Sequence, residues 1–308
     1  MPLTFEVLET SDGWNYLEIN GDNKNNISYK LNDGEWTPYT TGSDIYMNVG
    51  DKISLSANRT YWENQCSEYG GGAFYRYGGS KVKVYGNLHS LINWSNSINT
   101  NFCFYKLFGG SGPKASLVDA SNLILPATTL TTGCYSQMFK GCSGLITGPK
   151  TLPATTVPSS AYAGMFTNCS SLITAPEMAP TSVGAYSCNM MFYGCKSLTG
   201  GITTLPATSL PSGAYSNMFY QCSSLLAAPE IMATSMQTNA MYDMFISCKS
   251  LSSISVRFTS WNSNALHWWV NGVDQTGTFY CPTALGTQSN IARGMERCPT
   301  NFTVVNVD

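Results

Sequence analysis

The chain has 308 residues, 43% of them hydrophobic, enough to bury a sizeable core in two or three domains. Its 16 Lys and Arg against 18 Asp and Glu give a net charge of −2 with no basic run, so the electrostatic footprint of a nucleic-acid binder is missing. Charged residues make up only 11%, against about 25% in an average domain, and no apolar stretch approaches the ~20 residues that span a bilayer.

The N-terminus, Met1-Pro2-Leu3-Thr4-Phe5-Glu6, runs directly into strand-like sequence. It has neither the basic nor the apolar region of a secretory signal, so we expect a chain that folds in the cytoplasm or one whose leader has been removed. Residues 1–92 carry no repeat. Alternation at Ile27–Leu31, Lys52–Ser56 and Lys81–Tyr85 reads as strands, and Asn32-Asp33-Gly34-Glu35 as a hairpin turn. About seven short strands predict a small antiparallel β-sandwich of immunoglobulin-like type. Residues 93–102 read as a polar junction.

From residue 103 to 256 the sequence repeats. The anchor is Met-Phe-x-x-Cys-x-x-Leu, which places Phe139, Cys142 and Leu145, then Phe166, Cys169 and Leu172, then Phe192, Cys195 and Leu198 in register. Phe219, Cys222 and Leu225, and Phe245, Cys248 and Leu251, complete the set, with a degenerate first copy at Leu107-Phe108. Successive anchor cysteines are 27, 26, 27 and 26 residues apart. The alternation lies in one arm, because Leu125, Leu152, Met178, Leu205 and Ile231 each precede the next anchor cysteine by 17 residues. The unit is therefore a double repeat of 53 residues, 145–197 followed by 198–250, and we infer the duplication of a pair.

Each unit has a short strand after the leucine, a Thr/Ser/Pro turn and a segment around Ala-Tyr-x-x-Met-Phe. Tyr162, Met165 and Phe166 fall at i, i+3 and i+4, which predicts one or two helical turns. Such a unit cannot bury its apolar face alone, but stacked neighbours put Phe on Phe, Cys on Cys and Leu on Leu. Residues 257–308 lose the motif, carry Trp261, Trp268 and Trp269 and strand-like pieces at Gly277–Cys281 and Phe302–Val307, and read as a C-terminal cap over the open core. The expected fold is mainly β with short helices: a leucine-rich-repeat solenoid between the sandwich and the cap.

The repeat resembles the BspA-like, or Treponema-type, leucine-rich repeat family, where Ala-Phe-x-x-Cys-x-x-Leu takes the part of the anchor. It is similar also to the Leu-Pro-Ala-Thr-Thr-Leu and Met-Phe-x-Gly-Cys-Ser-x-Leu arrays of surface and phage-type proteins of gut Bacteroidales. The unit is longer than the usual ~23 residues of the family, and the Met178 and Ile231 copies lose Leu-Pro. The resemblance implies a recognition or adhesion module.

No residue pattern points to chemistry. The two histidines, His89 and His267, stand apart in sequence, and packing outweighs a catalytic or metal role for each. Glu177 and Glu230 occupy equivalent places in two repeats and are expected to lie exposed along one face rather than as a glycosidase pair. The eleven cysteines lack Cys-x-x-Cys pairs and regular basic neighbours, which reads as core packing rather than redox or zinc chemistry; Cys281 and Cys298 are the one pair worth testing for a disulfide. Trp268-Trp269 and the stretch Tyr69–Tyr77 are equally consistent with glycan stacking or packing. Asn58-Arg59-Thr60 matches a glycosylation acceptor but signifies little outside a eukaryotic secretory route.

We therefore expect no enzyme and no cofactor. The expected ligand face is the polar row between anchor leucines: Thr147, Lys150, Thr174, Glu177, Thr203 and Glu230. Expected partners are a protein or glycan on a bacterial surface and, for a phage-borne chain, other virion proteins, with self-association open. The expected setting is a virion surface (fibre, tail or capsid decoration), the alternative being a secreted or lipid-anchored Bacteroidales adhesin.

Overall fold

The computed structural model describes residues 1–9, 16–19, 26–40, 43–58, 74–77, 80–95, 97–109, 116–273 and 275–308. The protein is mainly β with almost no helix, and its larger part is a β-solenoid of about six turns.

Among the described residues, eight strands precede the solenoid: β1 (Leu3–Glu9), β2 (Tyr16–Ile19), β3 (Ile27–Leu31), β4 (Thr37–Pro38), β5 (Ile45–Tyr46), β6 (Lys52–Ala57), β7 (Phe74–Tyr77) and β8 (Lys81–Asn87). The β3–β4 hairpin turns at Asn32, whose φ of 53° is one that Asn tolerates, and Gly34 N–H closes it on the Leu31 carbonyl at 3.0 Å. One sheet has the order β4-β3-β6-β1-β8-β9 and a second the order β5-β2-β7. Strand β9 (Leu117–Ile124) lies within the range assigned to the solenoid, yet it pairs in parallel with β8. Its other side meets the first coil, where Ala120 N–H donates to the Thr147 carbonyl at 2.8 Å and Ile146 N–H to that of Val118 at 2.9 Å. The sheet thus passes its hydrogen bonding straight into the solenoid, and both share one apolar core.

Each coil contributes two short parallel strands: β10 (Thr151–Leu152) and β11 (Thr156–Val157), β12 (Glu177–Met178) and β13 (Ser182–Val183), β14 (Thr204–Leu205) and β15 (Ser209–Leu210), β16 (Glu230–Ile231) and β17 (Ser235–Met236). The anchor residues stack inside. All fifteen Phe, Cys and Leu of the five copies are at most 2% exposed, and the rings of Phe108, Phe139, Phe166, Phe192, Phe219 and Phe245 stack at centroid separations of 5.1 to 5.6 Å. That is one coil rise, and parallel-displaced rings at this distance stabilise beyond their burial by about 0.5–1.5 kcal/mol per pair.

The segment expected to be helical is not a helix, and the hydrogen bonds give the reason. In residues 133–142 the N–H groups of Gly133, Tyr135, Gln137, Phe139 and Gly141 donate to the carbonyls of Ser159, Ala161, Ala163, Met165 and Thr167 in the next coil at 2.7 to 3.0 Å. The alternate groups, of Cys134, Ser136, Met138, Lys140 and Cys142, turn back three residues within their own coil. An α-helix would consume every N–H internally and leave none to join the coils. The result is a ribbon of consecutive turns in which every fourth residue has positive φ: Gly133, Gln137, Gly141, then Ser160, Gly164, Asn168, then Tyr186, Met190, Gly194, and so on through Ser247. Regular helix among the described residues is confined to two short 3-10 turns, Leu88–Ile92 and Thr283–Leu285.

Where the motif fades after Leu251, the coil geometry continues. Strands β18 (Ser253–Ser255), β19 (Gly277–Cys281) and β20 (Phe302–Asn306) pair in parallel through Ser253–Thr278 and Thr278–Thr303, and Phe245 N–H donates to the Trp269 carbonyl at 2.7 Å. The outer edge of β20 meets side chains instead of a strand. Gln288 Oε1 accepts the Val304 N–H at 2.7 Å and Arg293 Nη1 donates to the Phe302 carbonyl at 2.8 Å.

Candidate binding groove

The extra residue of the longer coil arm shapes a groove. Gly201 adopts φ +126°, and a Cβ there would come within 2.5 Å of the Ala175 carbonyl oxygen, so no other residue fits this close approach. Beside it opens a shallow cleft of about 490 Å³, walled by residues 151–155, 177–179 and 201–203 of three successive coils. Thr203 and Glu177 are exposed in its wall. Thr147 and Thr174 are exposed and bridge in parallel on the row beside it, and Lys150 is exposed with its carbonyl accepting the Glu177 N–H at 2.8 Å.

Glu230 departs from the expected equivalence with Glu177. It is half-buried, and its Oε1 accepts from Arg257 Nε at 2.8 Å and from Arg257 Nη2, so its charge is already engaged. Glu177 makes no ion pair among the described residues and faces solvent at the groove. Repetition in the sequence had no means of separating the two, because Arg257 comes from beyond the repeat.

The other sequence candidates lie elsewhere. His89 is buried behind the Asn87 cap, and burial pushes its pKa down. His267 stacks between Tyr242 and Trp268 at 5.2 and 4.7 Å. Next to it, burial pushes the Asp243 carboxyl up while the imidazole pulls it down. Cys281 and Cys298 are thiols rather than a disulfide: Cys281 Sγ donates to the Gly286 carbonyl at 3.7 Å and Cys298 Sγ to that of Pro299 at 3.5 Å. Trp269 is buried and bonds the Arg297 carbonyl at 3.0 Å through Nε1, whereas Trp268 is exposed. Residues 69–73 of the Tyr-rich stretch, and Arg59 and Thr60 of the Asn58 motif, lie outside the described residues.

Two further surface features escaped the sequence reading. Each coil corner carries an exposed hydroxyl pair: Thr128-Thr129, Thr155-Thr156, Thr181-Ser182, Thr208-Ser209, Thr234-Ser235 and Thr259-Ser260. The hydroxyls of Thr181 and Thr234 donate to the Thr155 and Thr208 carbonyls at 3.4 and 3.3 Å, so the first hydroxyl of these pairs ties its coil to the one before. The second feature is a cleft of about 430 Å³ lined by Ser212, Met236, Gln237, Thr238, Asn262 and Asn264. These residues belong to three coils, and their identities do not repeat, so spacing alone could not assemble them.

Fold and clefts together define a β-solenoid with shallow recesses along its coils, the one at Glu177 floored largely by apolar side chains such as Leu152, Pro153, Met178 and Ile202. No family model, curated protein or solved structure matches the chain. Among the described residues no helix is long and apolar enough to cross a membrane, and no three His, Cys, Asp or Glu side chains cluster to hold a metal.

Proposed function

We propose that the protein is a non-enzymatic recognition and adhesion module of leucine-rich-repeat type, similar to the BspA-like proteins. Its place is a phage-type virion surface, where it binds a bacterial-surface glycan or protein. The immunoglobulin-like N-terminal sheets serve as attachment or spacer, and residues 257–308 as terminating cap. The contact face is the row Thr147, Lys150, Thr174, Glu177 and Thr203, centred on the groove. One observation carries this reading. Stacking buries the Phe, Cys and Leu ladder and spends backbone hydrogen bonds between coils, leaving an outer row in which Thr147, Thr174 and Thr203 stand with the exposed side chains of Ile146 and Ile173, and in which the Glu177 carboxylate, without an ion pair among the described residues, lies in the groove wall. A rigid row loses little conformational entropy when a ligand docks.

The test is attachment of labelled protein to bacterial cells. Glu177→Gln, and Thr174→Lys with Thr203→Lys, should reduce attachment while the coil stays folded. Unchanged attachment in both removes this face. Glycan hydrolysis that disappears in Glu177→Gln or Glu230→Gln would overturn the non-enzymatic reading. Gold-labelled antibody on particles, rather than on the cell envelope, supports the virion setting.

A further inference from the structure

The cleft at Ser212 shares no lining residue with the Glu177 groove and differs from it in chemistry. No charged side chain lines it. Its rim is held by its own hydrogen bonds: Gln237 Oε1 accepts the Ser212 N–H at 3.3 Å, and Asn262 Nδ2 donates to the Met236 carbonyl at 3.1 Å. Asn262 Oδ1 accepts the N–H groups of Asn264 and Ala265 at 3.1 and 3.3 Å. What remains open is the Gln237 amide N–H₂, the Thr238 hydroxyl and the Asn264 side-chain amide, all on exposed residues. These groups both donate and accept, carry no charge and are preorganised by the bonds behind them.

Beside this rim lies an aromatic ring. Tyr186 is 47% exposed, and its ring rests on Gly213, the neighbour of Ser212, so closely that a Cβ at Gly213 would come within 2.3 Å of it. Tyr186 has φ +54°, a conformation costly for an aromatic residue, at a position where the other coils use Phe102 (φ 55°), Gly133, Ser160, Gly213 and Asn239. Phe102 covers Gly133 in the same way, so a ring on a glycine is in part a packing device. Tyr186 differs in that its N–H donates to the carbonyl of Ser212 at 3.0 Å, which places it next to a residue that lines the cleft.

We infer that Tyr186, Gln237, Thr238 and Asn264 form a binding site for a neutral pyranose sugar, a second recognition site that rests on the adhesion reading above. A pyranose offers a face of C–H groups to the electron-rich face of an aromatic ring. Its hydroxyls donate and accept at once, as the amides and Thr238 do. A carboxylated or sulfated sugar would find no cation here, and the cleft is of saccharide size.

The experiment uses the full chain with methyl β-glucoside, methyl β-galactoside and methyl α-mannoside, with N-acetylneuraminic acid as the charged comparison. Binding is read by saturation-transfer NMR and titration, and urea midpoints report that each variant is folded. At least one neutral glycoside should bind, weakened about ten-fold by Tyr186→Ala and restored by Tyr186→Trp. Asn264→Ala and Gln237→Ala should each weaken it severalfold, and Glu177→Gln should leave it unchanged. Neutral glycosides that fail to bind, or bind Tyr186→Ala as well as the parent, overturn the site. Preference for the acidic sugar overturns its ligand class. If glycan binding is instead lost in Glu177→Gln, this site fails while the recognition function stands. If neither glycans nor cells are bound at all, the recognition function falls with it.

Discussion

The thiol of Cys195 donates a hydrogen bond of 3.1 Å to the main-chain carbonyl of Phe166 in the coil before it. The same bond recurs from Cys169 to Phe139 and from Cys222 to Phe192 at 3.1 Å, and from Cys248 to Phe219 at 3.0 Å. Cysteine thus fits this interior twice over, as a small apolar body and as the donor that joins coil to coil. Cys195→Ala should cost about 1–3 kcal/mol, the sum of a lost bond and a sulfur-sized void. Urea unfolding measures it; a loss below about 0.3 kcal/mol would show that the thiol bond contributes nothing.

The same burial makes the fold sensitive to alkali. Burial pushes the thiols of Cys134, Cys188 and Cys248 up to about 12, and it raises Cys195 and Cys222 as well. An unfolded cysteine loses its proton near pH 8.5. Above that pH the unfolded chain binds fewer protons than the folded one, so stability falls with rising pH. The contribution is whole below pH ~8.5 and is lost progressively as pH climbs toward 12, by at most about 1.4 kcal/mol per thiol per pH unit. Thermal melts at pH 7, 9 and 10 should show a falling midpoint, while a thiol reagent at pH 8 should leave these cysteines unmodified until the chain unfolds. Rapid modification of the folded protein would contradict both.

The ladder of Phe, Cys and Leu was legible in the sequence because stacking requires the same residue in the same place in each coil. The ribbon was misread for an equally physical reason. Apolar residues at i, i+3 and i+4 satisfy a helix, but Tyr162, Met165 and Phe166 meet that spacing in a chain of turns too. The distinguishing signal was the polar or glycine residue at every fourth position in most coils, as in Gly133, Gln137 and Gly141, which Tyr186 and Met190 interrupt in one coil. The groove around Glu177 was partly legible, since Thr203 and Glu177 were singled out. The cleft of Gln237 and Asn264 was not, because it joins residues about one coil apart that share no motif.

Met190 tests the ribbon. Its φ is +54° where the neighbouring coils place Gly164 at +61° and Asn217 at +55°, and its side chain is 37% exposed, so little packing offsets the strain. A left-handed conformation costs a side-chain-bearing residue about 1–2 kcal/mol, part of which glycine returns through the entropy of its unfolded state. Met190→Gly should therefore stabilise by about 0.5–1 kcal/mol, and Met190→Val, branched at Cβ, should destabilise by about 1 kcal/mol or more. The opposite order in urea midpoints would mean that the residue is not held in this conformation.

The outer edge of β20 raises the question of what keeps it from pairing with a strand of another molecule. Strand β20 pairs with β19 on one side only, and an open parallel edge is a template for further pairing. Here two side chains imitate the missing strand: Gln288 Oε1 takes the Val304 N–H, Arg293 Nη1 bonds the Phe302 and Thr300 carbonyls at 2.8 and 3.1 Å, and Arg293 Nη2 holds Gln288 Oε1 at 3.2 Å. Each atom that blocks the edge is thereby positioned by the other residue. Gln288→Ala with Arg293→Ala should uncover the Val304 donor and the Phe302 acceptor beside the exposed side chain of Val305. The double variant should sediment faster with rising concentration than the parent chain, because edges freed in this way pair with one another. Identical sedimentation, with the fold intact by circular dichroism, would mean that the edge is protected by something other than these two side chains.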